Sequence, residues 1–100
     1  MIEHLEDINK AFESKVRLGV MSVLMVNDEI DFNSLKELLG VTDGNLASHT
    51  RALENLEYIA VRKQFVGRKP RTTFARTEKG EKAFREHLHA LESFLNKVER

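Results

Sequence analysis

The chain of 100 residues contains no cysteine, which excludes disulfides, thiolate metal sites and thiol redox switching. No apolar run approaches the length of a membrane-spanning helix, so no membrane partner is expected. The opening residues, MIEHLEDINK, are too acidic and too poor in apolar side chains for a secretory signal, and a cytoplasmic protein is expected. There is no charge of one sign in excess, since 16 Lys plus Arg balance 16 Asp plus Glu. The total therefore argues neither for nor against a polyanionic partner, and the distribution has to be read instead. Internal repeats, low-complexity segments and a glycine-rich phosphate loop are all missing. Ser48 and His49 are neighbours on a helical stretch and point in different directions, so they make no nucleophile–base pair. Neither an enzyme nor a cofactor is expected. An apolar fraction of 41% and an aromatic fraction of 7% are ordinary for one globular domain.

What is there is organised around residues 31–59, DFNSLKELLGVTDGNLASHTRALENLEYI. Behind Phe32 and Asn33, the leucines Leu35, Leu38 and Leu39 fall on one helical face. Gly40 is placed as a left-handed stop, because a residue without Cβ takes positive φ without strain. Val41 fills the turn, and Thr42 is placed to cap a second helix, about residues 43–57, by accepting from its open N–H groups. Leu46, Thr50, Leu53 and Leu56 commit one side of that helix to a core, and Tyr58 leads into a strand. At 3.6 residues per turn the opposite face carries Gly44, Ala47, Ser48, Arg51 and Asn55, flanked by Asn45 and His49. Such a small, hydrogen-bonding face approaches a major groove closely and reads base edges. The plain alternative is an amphipathic helix with a polar outside, since helix–turn–helix geometry also serves structural ends.

Upstream, Met1, Leu5, Ile8 and Phe12 form a helical stripe that predicts an N-terminal helix over residues 1–13. Ser14 is placed to cap the next helix, with Val16, Val20, Val23 and Leu24 as its buried face and Arg17 at least partly exposed. This segment, KVRLGVMSVLMV, is apolar nearly all round and is expected to be the central helix. Residues 27–29 make a turn, and residues 30–32 are long enough only for an edge bridge.

Downstream, residues 58–66 alternate as a strand, GRKP at residues 67–70 signals a turn, and residues 71–76 form a second strand. The hairpin, residues 58–77, holds Arg62, Lys63, Arg68, Lys69, Arg71 and Arg76 and no acidic residue. Edge protection needs only one or two charges of either sign. Six of one sign beside a helix–turn–helix point to phosphate contacts. Thr77 is placed to cap a last helix over residues 78–100, in which Phe84, Leu88, Leu91, Leu95 and Val98 make an a/d seam. A small domain has little core to offer the far end of such a helix. That seam, with Leu5, Ile8 and Phe12, is read as a homodimer interface.

The order of elements, carried by VRLGVMSVL (16–24), FNSLKELLGVTDGNLASHTRALENLEYI (32–59) and GRKPRTTFARTEKGEKAF (67–84), resembles the small winged helix–turn–helix regulators near the MarR and ArsR groups. The fold expected is mainly α with a small β-hairpin wing. Residues 14–77 would be the winged-helix core, with dimerisation helices N- and C-terminal to it. RTEKG (76–80) stands where these families have LTxxG, so Arg76 replaces a preferred leucine. Thr50 also stands at a usual leucine, and Ala47 at a common serine. The resemblance implies a dimeric, sequence-specific regulator, read as a repressor, on a pseudo-palindromic double-stranded DNA operator. Asn45, Ser48, His49 and Arg51 are the candidates for base edges or nearby phosphates, with Arg51 suited to guanine and Asn45 to adenine. Arg62, Arg68, Lys69 and Arg71 are the candidates for phosphates or the minor groove. Two alternatives stand beside this reading. One is a winged-helix module that binds an acidic protein through its hairpin. The other is an ArsR-like metal sensor using His87, His89 and Glu92, although histidines on an exposed helix are more simply polar filler and no metal is expected.

Overall fold

The computed structural model of the chain describes residues 8–99. A 3₁₀ turn at Lys10–Glu13 leads into α1 (Lys15–Val26), β1 (Ile30–Asp31), α2 (Phe32–Leu39), α3 (Asp43–Asn55), β2 (Ile59–Val66), β3 (Lys69–Arg76) and α4 (Glu78–Val98). The three strands form one antiparallel sheet in the order β1-β3-β2. This is the winged helix–turn–helix architecture, mainly α with a hairpin wing. Met1 and Leu5 of the expected N-terminal stripe lie outside the described residues, and what precedes α1 within them is the 3₁₀ turn.

Local chemistry sets most of the helix ends. Ser14 accepts from Arg17 N–H at 3.3 Å, Asp31 from Ser34 N–H at 3.2 Å, Thr42 from Asn45 N–H at 3.2 Å and Thr77 from Gly80 N–H at 2.9 Å. Each satisfies an N–H that has no partner within its helix. The cap of α2 is therefore Asp31, and the helix starts at Phe32 rather than after Asn33. Gly40 stops α2 at φ 65°. Helix α3 ends at Asn55, short of the expected residue 57. Glu57 adopts φ 64°, and Tyr58 N–H donates back to Leu53 O at 3.0 Å. That left-handed closure turns Leu56 outward, so it leaves the expected core run.

The core gathers Phe12, Val20, Met21, Leu24, Leu35, Leu46, Leu53, Ile59, Phe74 and Phe84. In α1 the fully buried positions are Val20, Met21 and Leu24, while Val16 and Val23 are half-buried. The central helix is packed on more than one side, so its buried stripe widens toward Met21. Leu38 is 64% exposed, because an eight-residue helix buries only the face centred on Leu35. Two residues that break the family pattern are accommodated by hydrogen bonds. Thr50 is buried, and its hydroxyl donates to Leu46 O at 2.8 Å, so its polar group is satisfied within its own helix. Arg76 reaches the C-terminal end of α1, where Nη1 donates to Leu24 O at 2.6 Å, while Nε pairs with Glu81 at 3.1 Å. A cation at a helix C-terminus complements the open carbonyls and the macrodipole.

The hairpin is tighter than its sequence suggests. Val66 pairs with Lys69 across a two-residue loop, Gly67–Arg68, and Lys69 and Pro70 belong to β3 rather than to a four-residue turn. Gly67 takes φ 64° at the first loop position, where a two-residue hairpin turn calls for glycine. Pro70 is tolerated in the sheet because β1 reaches only Thr73 and Phe74, which leaves β3 an edge strand at its tip end. The molecule extends 58 Å along its longest axis and has a radius of gyration of 15.2 Å, against about 13 Å for a round domain of this length.

Candidate nucleic-acid interface

Helix α3 presents two chemically opposite sides. Leu46, Thr50 and Leu53 are buried, whereas Gly44, Asn45, Ser48, Arg51 and Asn55 are exposed. Ala47 and His49 are half-buried on the flanks. Across the turn, Lys36 and Asp43 pair at 2.8 Å, a largely exposed ion pair between α2 and the start of α3. The carboxylate of Asp43 also sits in the first turn of α3, where the macrodipole favours it.

His49 is not independent. Its Nδ1 accepts from Arg17 Nε at 3.0 Å, so the ring is turned toward α1 and its Nε2 is the nitrogen left to face outward. Arg17 thereby joins the edge of α3. No local pattern marks it, because the contact spans 32 residues of sequence. An arginine in a mostly apolar helix is its signal in the sequence.

The hairpin lies beside this face. A cleft of about 180 Å3 separates α3 from the sheet and is lined by Ala47, Arg51 and Glu54 on one side and Val61, Lys63 and Phe74 on the other. Arg51 and Lys63, from different elements, thus share one cleft. The six hairpin cations divide into two groups. Arg76 is committed to α1 and Glu81, as described above. Arg62 meets both carboxylate oxygens of Glu29 at 3.2 and 3.3 Å, an exposed pair worth little in water. Lys63, Arg68, Lys69 and Arg71 are exposed and make no ion pair among the described residues. A larger cleft of about 290 Å3 is lined by Asp28, Arg76, Thr77, Glu78 and Glu81. Arg76 pairs there with Glu81 and Asp28, and the three carboxylates against one arginine leave that cleft acidic.

The last helix carries two separate apolar faces. Phe84 and Phe12 are buried in the protomer's own core, ring against ring at 5.2 Å in an edge-on arrangement. They are therefore not part of a surface seam. Leu88, Leu91, Leu95 and Val98 are 37–56% exposed, and Ile8 is half-buried. His87 also faces inward: it is buried and accepts from Asn9 N–H at Nδ1 at 3.1 Å, and burial holds its pKa below the usual imidazole value. His89 and Glu92 are exposed on α4, so the three expected metal candidates are not brought together. Among the described residues no three His, Cys, Asp or Glu side chains gather into a metal-holding group, and no helix is long and apolar enough to cross a membrane.

This arrangement has counterparts. Residues 16–95 match the family model of the winged helix DNA-binding domain. An uncharacterised protein of Methanocaldococcus jannaschii is 31% identical over 90 residues, spanning 90% of this chain and 98% of its own. The structure of a transcriptional regulator homologue from Pyrococcus horikoshii superposes with a TM-score of 0.87 at 29% identity, covering 98% of this chain and 99% of that one. The YusO protein of Bacillus subtilis shares the fold, with a TM-score of 0.79 at 20% identity over 96% of this chain and 67% of that one. Family and fold are those of transcriptional regulators rather than of enzymes. The chain belongs to the winged helix DNA-binding domain family.

Proposed function

We propose that the chain is a transcriptional repressor that binds double-stranded DNA sequence-specifically, as a homodimer on a pseudo-palindromic operator. One observation carries this reading: the exposed polar face of α3 and the basic wing lie side by side, with Arg51 and the unpaired Lys63 on a common cleft. In this reading α3 enters the major groove, where Arg51 donates to guanine O6 and N7, Asn45 pairs with adenine and Ser48 takes a nearby edge. His49 and Arg17 border the groove. Arg68, Lys69 and Arg71 hold phosphates, and Arg62 joins them by exchanging Glu29 for the backbone. The exposed seam Leu88, Leu91, Leu95 and Val98 pairs with its symmetry mate and sets the two half-sites about 34 Å apart.

Selection of bound duplexes from a random pool tests the reading and is expected to return a two-fold symmetric site. On that site Arg51→Ala should cost about 1–3 kcal/mol and relax specificity at one base pair per half-site. A pool that returns no preferred duplex sinks the proposal. An equal loss on random DNA would make Arg51 a phosphate contact instead.

A further inference from the structure

The tip of the wing bears apolar surface for which phosphate contacts have no use. Phe65 is 74% exposed and Val66 55% exposed, beside the cations Arg68, Lys69 and Arg71. The direction of Phe65 follows from the sheet register. Side chains alternate between the two faces of a strand, so Phe65 shares a face with Val61 and Lys63 and, through cross-strand pairs, with Pro70, Thr72 and Phe74. Val61, Lys63, Thr72 and Phe74 line the cleft against α3. Phe65 and Pro70 continue that face outward, on the side where Arg51 lies. Four residues separate Val61 from Phe65, or about 13 Å of strand at about 3.3 Å per residue. Half a turn of duplex, about 17 Å of the roughly 34 Å repeat, separates a major groove from the minor groove beside it. With its side chain added, the tip spans that interval.

We propose that Phe65, backed by Pro70, is an apolar contact to the minor groove flanking each half-site, selecting for groove floors that lack the guanine amino group. The inference rests on the DNA-binding reading above and adds a second source of specificity to it. In the minor groove A·T pairs present only acceptors, while G·C adds the N2 amino group, so the groove distinguishes pair type and little else. An aromatic ring packs against sugars and the groove floor where that group is absent and the step deforms readily. The acid-free surroundings supply the charge complementarity: narrow A·T-rich minor grooves carry enhanced negative potential, the hairpin holds no acidic residue, and the cation Lys63 shares the face of Phe65.

The test uses the full chain and the duplex recovered by selection, prepared with A·T, G·C or inosine·C flanks. Inosine keeps the major-groove acceptors of guanine and lacks its amino group. The wild-type chain is expected to bind A·T and inosine·C flanks alike and G·C flanks about tenfold more weakly. Phe65→Thr keeps a strand-favouring residue at that position. This variant should bind all three duplexes alike, with an unchanged salt slope and unchanged dependence on half-site bases. The inference is overturned if Phe65→Thr still discriminates, if the wild type binds the three flanks equally, or if inosine·C behaves as G·C does. A selection that yields no duplex is a different failure, which removes the DNA-binding reading and this inference with it.

Discussion

Gly80 sets how closely α4 sits on the rest of the domain. A Cβ at this position would collide with the backbone carbonyl of Tyr58, which cannot yield as a flexible side chain can. The same carbonyl accepts from Thr77 N–H at 3.1 Å, and the Thr77 hydroxyl donates to Glu57 O at 2.6 Å. Gly80→Ala gains about 1 kcal/mol of helix propensity, but overpacking costs about 1–3 kcal/mol, and a backbone clash belongs at the upper end. A net loss is expected, read as a fall in Tm of about 4–8 °C per kcal/mol; an unchanged Tm would mean that α4 docks elsewhere. His87 makes a prediction of the opposite kind, in pH. It is buried as the neutral acceptor of Asn9 N–H, and Asn9 Nδ2 in turn donates to the Tyr58 hydroxyl at 3.0 Å. Its folded pKa is lowered by burial, so the unfolded chain takes up the proton first as pH falls below about 6.5. The stability contributed by His87 is therefore complete above that pH and is lost as pH falls toward and through the folded value. Urea midpoints at pH 7.5 and 5.5 should differ more for the wild type than for His87→Gln, which keeps an acceptor but does not titrate. Equal differences would place the acid sensitivity elsewhere.

At the scale of elements, the wing and helix α3 have different work in the proposed function. The wing positions proposed to meet phosphate are exposed and carry no packing, so Arg68→Ala, Lys69→Ala and Arg71→Ala together should leave the fold intact. Binding should weaken similarly on all sequences, and removing each phosphate-binding cation should reduce the log–log salt slope by about 0.9. A slope that does not move would take the hairpin off the backbone. The helix order and the hairpin are legible in the sequence because periodicity and caps are local properties, as at Ser14, Gly40, Thr42 and Thr77. The length of the wing turn is not, because GRKP has the composition of a single four-residue turn. The cross-strand pairs instead place Lys69 and Pro70 within β3.

The whole molecule is elongated because α4 outruns its own core. Its inner face is covered by Phe12 and the body of the domain, while Leu88, Leu91, Leu95 and Val98 stay exposed. Burying a leucine is worth about 1.5–3 kcal/mol, and in a two-fold interface each substitution acts twice. Leu91→Asp with Leu95→Asp should therefore abolish the proposed dimer. Because these side chains are 37% and 56% exposed, the protomer should keep its helical circular dichroism while its DNA affinity falls toward that of a single half-site. Sedimentation decides the matter: a wild-type chain that runs as a monomer at micromolar concentration rules the dimer out.

The sequence by itself determined the order of helices α1 to α4, most of their caps, the hairpin, the polar face of α3 and the concentration of cations near the wing. All of these depend on residues within a few positions of one another. Tertiary structure decided what each charged or apolar group is for. It committed Arg76 to α1 across 52 residues, paired His49 with Arg17, and buried His87 beneath a segment 78 residues away. It also withdrew Phe12 and Phe84 from the surface, and turned Phe65 to the side of the recognition helix. A cation far from its carbonyl, or a phenylalanine whose neighbours come from another element, looks the same in a one-dimensional pattern whether it is bound or free. Only the fold distinguishes the two, by bringing the partner within hydrogen-bonding or van der Waals distance.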